Sequence, residues 1–99
     1  DYANEDKVIV ELFLLDPDQC AACTYMLASV EDNFDHIRDI AEYRVYKYFI
    51  KEDIARTRKM GIANLPTMCI DGEQKVISII PSREELVDTV KAAAAAKAK

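Results

Sequence analysis

The chain has 99 residues, about half of them apolar, and a formal net charge of -5. That length suits one domain with a working but small core, and that composition excludes a disordered segment. The acidic balance, with no basic face for phosphates, argues against nucleic acid as a partner, and no apolar run reaches the ~20 residues of a membrane span. The chain opens on Asp1 rather than Met and is expected to be a trimmed or excised piece; no basic-then-apolar leader is visible in it. Three cysteines are too few for a stapled secreted scaffold, and an odd number leaves one thiol over. The expected setting is reducing, hence cytoplasmic, with one cysteine pair kept for chemistry.

Residues 8–15 form a short, β-rich, nearly continuous apolar run broken only by Glu11, the pattern of a central strand covered on both faces. Asp16-Pro17-Asp18 ends it. A helix is expected from Cys20 or Ala21 to about Asn33, because Cys23, Met26, Leu27, Val30 and Phe34 repeat at spacings of three and four. Residues 35–41 read as a further turn or a loop. Tyr43–Ile50, rich in Tyr, Val and Phe, reads as a second strand, with its tyrosines covering a sheet face.

Residues 51–60 suggest a short helix closed by Gly61, with Arg56, Arg58 and Lys59 on a solvated face. Pro66 cannot donate to a ladder, so the third strand is expected at Thr67–Ile70. Asp71-Gly72 is a hairpin turn signal, with Lys75–Ile80 as the returning strand. Ser82-x-x-Glu85 is a capping box opening a last helix, whose buried stripe is Leu86, Val87, Val90 and Ala94. The order is β-α-β-α-β-β-α: an α/β domain with a parallel opening and an antiparallel edge. One domain, 1–99, is expected, with residues 1–6 and the alanine-lysine stretch 95–99 as flexible tails.

Cys20-Ala21-Ala22-Cys23 carries the chemistry. A Cys-x-x-Cys at a helix start is a redox pair, half of a metal site, or two core cysteines at helical spacing. Zinc needs four ligands, and the only other cysteine and histidine are Cys69 and His36, neither in a ligand knuckle. No metal is expected. An iron–sulfur cluster fails the same count. At the helix start, backbone N–H groups without intrahelical partners stabilise a thiolate at Cys20, while Cys23 falls on the apolar stripe. Asp16 and Asp18 would oppose that thiolate if they faced it. Cys69 is expected to pack in the core, and His36 to be a solvated surface residue.

The placement of Cys20-Ala21-Ala22-Cys23 after an apolar strand, Gly61-Ile62-Ala63-Asn64-Leu65-Pro66-Thr67, and the ending from Asp71-Gly72 through Leu86 together resemble the thioredoxin superfamily. The resemblance covers residues 8 to about 91. Without an additional strand and helix at its start, the chain is most similar to the minimal glutaredoxin-like form. The resemblance implies a thioredoxin-like fold with a central four-stranded mixed sheet, and thiol–disulfide exchange with Cys20 attacking and Cys23 resolving. It also implies a cis Pro66 across from the pair, with Leu65 offering its backbone to an extended substrate segment. Gln19, Ala21, Ala22, Leu65 and Pro66 would then touch substrate. Gln19 stands where the family usually has tryptophan, and Ala21-Ala22 where it has Gly-Pro, which points to a dedicated partner. No cofactor is implied. The implied partners are a protein disulfide or dithiol and an upstream reductase, and a monomer is expected. The alternative is a binding or adaptor module of the same fold, part of a larger polypeptide, whose cysteines do not cycle.

Overall fold

The computed structural model describes residues 2–16, 18–77 and 81–98. Strand β1 (Val8–Leu14) is buried along its whole length. Side chains alternate across a strand, so Val8, Val10, Leu12 and Leu14 face one way and Ile9, Glu11 and Phe13 the other. The first set packs with Cys23, Met26 and Val30 of helix α1 (Ala21–Asn33) and with Leu86 and Val90 of helix α3 (Arg83–Lys97). The second set faces the side of helix α2 (Lys51–Lys59). Each large apolar side chain buried here contributes roughly 1.5–3 kcal/mol.

Among the described residues the strands make one four-stranded sheet in the order β2-β1-β3-β4. β1 and β2 (Ala41–Lys47) are parallel, with Val8 opposite Ala41 and Leu14 opposite Lys47. β3 (Thr67–Ile70) runs antiparallel to β1, with Phe13 opposite Thr67 and Val10 opposite Ile70. β4 (Glu73–Ile77) completes the hairpin, with an irregularity at Met68–Cys69. Asp71 and Gly72 both take positive φ in the turn. A side chain on Gly72 would also strike the ring of Tyr2, 2.8 Å from its Cβ position.

Element ends differ from the sequence reading in instructive ways. A 3-10 turn, Phe34–His36, follows α1, and β2 then begins at Ala41 rather than Tyr43. β2 stops at Lys47, not Ile50, because the chain turns there: the Ile50 N–H donates back to the Lys47 C=O at 3.1 Å, while the outward Lys47 N–H donates to Asp53 Oδ2 at 3.0 Å. Tyr48–Ile50 is therefore the turn into α2. β4 starts at Glu73 rather than Lys75; the expected strand positions 78–80 lie outside the described residues. The tyrosines do not share one sheet face. Tyr43 packs edge-on against Phe34, while Tyr46 stacks on Phe13 across the sheet.

The remaining signals hold. Gly61, at φ +69°, ends α2, and Ser82 and Glu85 make both bonds of the capping box. Two side chains from the segments read as tails reach the body. Tyr2 donates to Glu11, and Lys97 Nζ donates to Lys7 O at 2.7 Å and to Asp71 Oδ1 at 3.2 Å. His36 is exposed.

Candidate active site

β1 delivers the chain to the site, and a short turn hands it to α1. Asp16 shapes that turn: its Oδ1 accepts the Asp18 N–H at 3.0 Å and its C=O accepts the Gln19 N–H at 2.9 Å. The Asp16 carboxylate is thus engaged by its own loop. Cys20 is the N-cap of α1, with extended backbone, and its Sγ accepts the Cys23 N–H at 3.1 Å. A sulfur here fills the role usually played by a Ser, Thr, Asn or Asp oxygen.

Cys20 and Cys23 are bonded to each other, with their Cα atoms 5.2 Å apart, inside the range a disulfide spans. Their environments differ. Cys20 is half-buried, whereas Cys23 is fully buried in the core, with its Sγ accepting the Leu15 N–H at 3.3 Å. Gln19 and Ala21 are exposed, and Ala22 is half-buried.

The Leu65–Pro66 peptide is cis. Thr67 sits opposite Phe13, so the residues ahead of it run past the end of β1, the end at which α1 begins. Pro66 is buried and Leu65 half-buried there. Thr67 Oγ1 donates to Asn64 O and holds the loop. The sequence reading missed an apolar rim at this same end. Leu15, just past β1, and Phe49 and Ile50, just past β2, are large apolar side chains left 42, 57 and 40% exposed. They looked like ordinary strand members; only the early strand ends reveal them.

The match to solved structures is close in shape and distant in sequence. A structure described as a malarial protein superposes with a TM-score of 0.67 at 19% identity, covering 87% of this chain and 96% of that one. Thioredoxin-2, a component of the malaria parasite protein secretion machinery, gives 0.69 at 18% identity, covering 89% and 84%. The oxidised thioredoxin of Plasmodium falciparum gives 0.63 at 13% identity, covering 93% and 86%. The chain has the thioredoxin fold. No protein-family model and no curated protein matches it.

The sheet of this thioredoxin fold also buries a charge that sequence reasoning left out. Glu11 is fully buried, yet carries an ion pair: Arg56 Nε and a terminal nitrogen donate to its Oε2 at 3.1 and 2.9 Å. The Tyr2 hydroxyl donates to Oε1 and accepts from Arg56 in turn. Arg56 is therefore not part of a solvated helix face. The alternation along β1 puts Glu11 on the sheet face opposite the one packed with Cys23, so this acid does not serve the cysteine pair. The signal in the sequence was a lone acid inside an apolar strand.

Cys69 lies opposite Glu11 on β3 and is fully buried, as a core cysteine. Burial, with Glu11 beside it, pushes its thiol from 9.0 up to about 11. Burial and the Glu11 carboxylate likewise push Tyr2 from 10.0 up to about 12. Both groups hold their protons more tightly folded than unfolded. Their contribution is complete below about pH 9 and is lost as the pH rises through 11 and 12. The urea midpoint is expected to fall steadily above pH 9 and to fall less in a Tyr2→Phe, Cys69→Ala double variant. Equal slopes in the two proteins would contradict this origin.

No helix among the described residues is long and apolar enough to cross a membrane.

Proposed function

We propose that this domain exchanges dithiols for disulfides with a protein partner. The single observation that supports this most is the asymmetry of the cysteine pair. One sulfur caps the start of α1 and is partly open, and its partner at bonding distance is buried behind it.

In the reduced protein, the Cys20 thiolate attacks a substrate disulfide. A bond forms between Cys20 Sγ and one substrate sulfur, and the other substrate sulfur leaves as a thiolate. Cys23 then attacks Cys20 Sγ, the Cys20–Cys23 bond forms, and the second substrate thiolate is released. Two electrons have moved to the substrate, and a second dithiol, the upstream reductase, restores the pair. The Cys23 N–H that points at Cys20 Sγ, together with the start of the helix, favours the charged form of the nucleophile. Leu65 and Pro66 would align an extended substrate segment, with Gln19, Ala21 and Ala22 alongside, and the apolar rim of Leu15, Phe49 and Ile50 suits a protein substrate. A reducing, cytoplasmic setting would keep the pair ready to donate.

The test is competitive alkylation of the reduced chain at neutral pH, read by mass spectrometry. Cys20 is expected to be modified at least about tenfold faster than Cys69, whose thiol ionises only near 11. Equal, slow modification of Cys20 and Cys69 would instead favour a binding module whose cysteines do not cycle.

A further inference from the structure

Hydrogen bonds join the apolar rim to the cysteine pair. The Leu15 N–H donates to Cys23 Sγ at 3.3 Å, so the residue that begins the rim touches the buried sulfur. The Tyr48 N–H donates to Leu14 O at 2.8 Å, which carries Tyr48 and the two residues after it past the same end of the sheet. One exposed leucine is ordinary. Three large apolar side chains, Leu15, Phe49 and Ile50, left open at one end of a sheet beside a cysteine pair mark a surface that another chain covers. The strand order β2-β1-β3 places Leu65–Pro66 on one flank of β1 and Phe49 and Ile50 on the other. A substrate aligned at Leu65–Pro66 therefore leaves the rim free for the side chains next to its own cysteine.

The charges at this end are uneven. Past β2, Lys47 and Lys51 are matched in number by Glu52 and Asp53. The loop that carries Cys20 has two acids and no base. Asp16 is engaged by its own loop. Asp18, two residues before Cys20, is exposed, and no described group pairs with its carboxylate.

Resting on the redox reading above, we propose that the substrate disulfide lies in a segment with a bulky apolar and a basic side chain next to its cysteine. The apolar side chain covers Leu15, Phe49 and Ile50, and the basic one meets Asp18. A basic neighbour also lowers the thiol pKa of the substrate cysteine, which then leaves faster. An acidic segment meets like charge at Asp18 and is disfavoured.

The experiment measures single-turnover opening of symmetric peptide disulfides by the reduced chain. The peptides carry Leu or Ala, and Lys or Glu, on both sides of the cysteine. Each rate is divided by that of dithiothreitol on the same peptide, which removes the peptide's own reactivity. The Leu-and-Lys peptide should react about tenfold faster than Ala-and-Lys, from the apolar area covered, and about fivefold faster than Leu-and-Glu, from the exposed charge contact. The leucine preference should fall below about threefold in a Phe49→Ser, Ile50→Ser double variant, and the lysine preference to about twofold or less in Asp18→Asn. Asp18→Asn also removes a charge near Cys20 and shifts every rate together, so the ratios decide. Equal rates across the peptides, or ratios that survive the variants, would overturn the proposal. A titration without chemistry separates it from the redox reading. Peptides with serine in place of cysteine, added to the oxidised chain, should shift the Leu15, Phe49 and Ile50 amide resonances, the Leu-and-Lys peptide most. Such shifts without exchange on any peptide would remove the redox reading and keep the docking surface. Exchange without preference or shifts would remove the docking surface and keep the redox reading.

Discussion

Cys20→Ser is expected to abolish disulfide reduction, and Cys23→Ser to leave the chain covalently joined to its substrate. The two cysteines are three residues apart, and the structure gives them unequal surroundings: Cys20 is partly open at the helix cap, and Cys23 is fully buried behind it. A serine at position 20 has no ionised form near neutral pH, so the rate should drop on the order of 10³-fold or more. A serine at position 23 leaves the first attack intact. The Cys20–substrate bond then forms and has no internal thiol to resolve it. Non-reducing mass spectrometry against a model disulfide protein would show the adduct with Cys23→Ser and none with Cys20→Ser. Adducts of equal yield from both variants would mean that the pair has no fixed order of attack.

The second large effect is one of stability. Arg56→Leu is expected to destabilise the fold by about 3 kcal/mol, and adding Glu11→Leu to recover most of that loss. The reason lies in where each partner sits. Glu11 is fully buried, while the Arg56 side chain keeps 27% of its surface exposed. Removing the arginine strands a carboxylate in the interior with only the tyrosine hydroxyls of Tyr2 and Tyr46 to meet it. Stranding one member of a buried pair costs about 3–5 kcal/mol, and the exposure of Arg56 places this case at the low end. Replacing both members with apolar side chains removes the stranded charge, and such exchanges are near neutral or stabilising. Urea unfolding of the wild type, both single variants and the double variant closes the cycle. Losses that simply add would show that the pair contributes no coupling.

Most of the fold was legible because its signals are local. The unbroken apolar run at residues 8–15, the period of Cys23, Met26 and Val30, the Asp71-Gly72 turn and the Ser82–Glu85 box each act within a few residues and hold in the structure. The Cys20–Cys23 pair was legible for the same reason. What escaped depends on contacts between distant segments. β2 stops at Lys47 because the chain turns there, with Ile50 N–H bonded back to Lys47 C=O and Asp53 of the next helix accepting the Lys47 N–H, and no local propensity separates Lys47 from Tyr48. Arg56 looks like its neighbours Arg58 and Lys59, and only packing against β1 sends it inward to Glu11. The apolar rim of Leu15, Phe49 and Ile50 followed from those misplaced strand ends. Burial of Tyr2 against Gly72 likewise needs the first and third quarters of the chain together.

The central claim is that Cys20 and Cys23 cycle reversibly between dithiol and disulfide. Its most direct test is equilibration of the whole chain in glutathione buffers, with the two forms counted by mass after acid quenching. The account predicts one two-electron transition, confined to Cys20 and Cys23, at a potential between about -270 and -120 mV, with Cys69 reduced throughout. A pair that stays reduced across the entire glutathione range, or oxidation that reaches Cys69 equally, would contradict it.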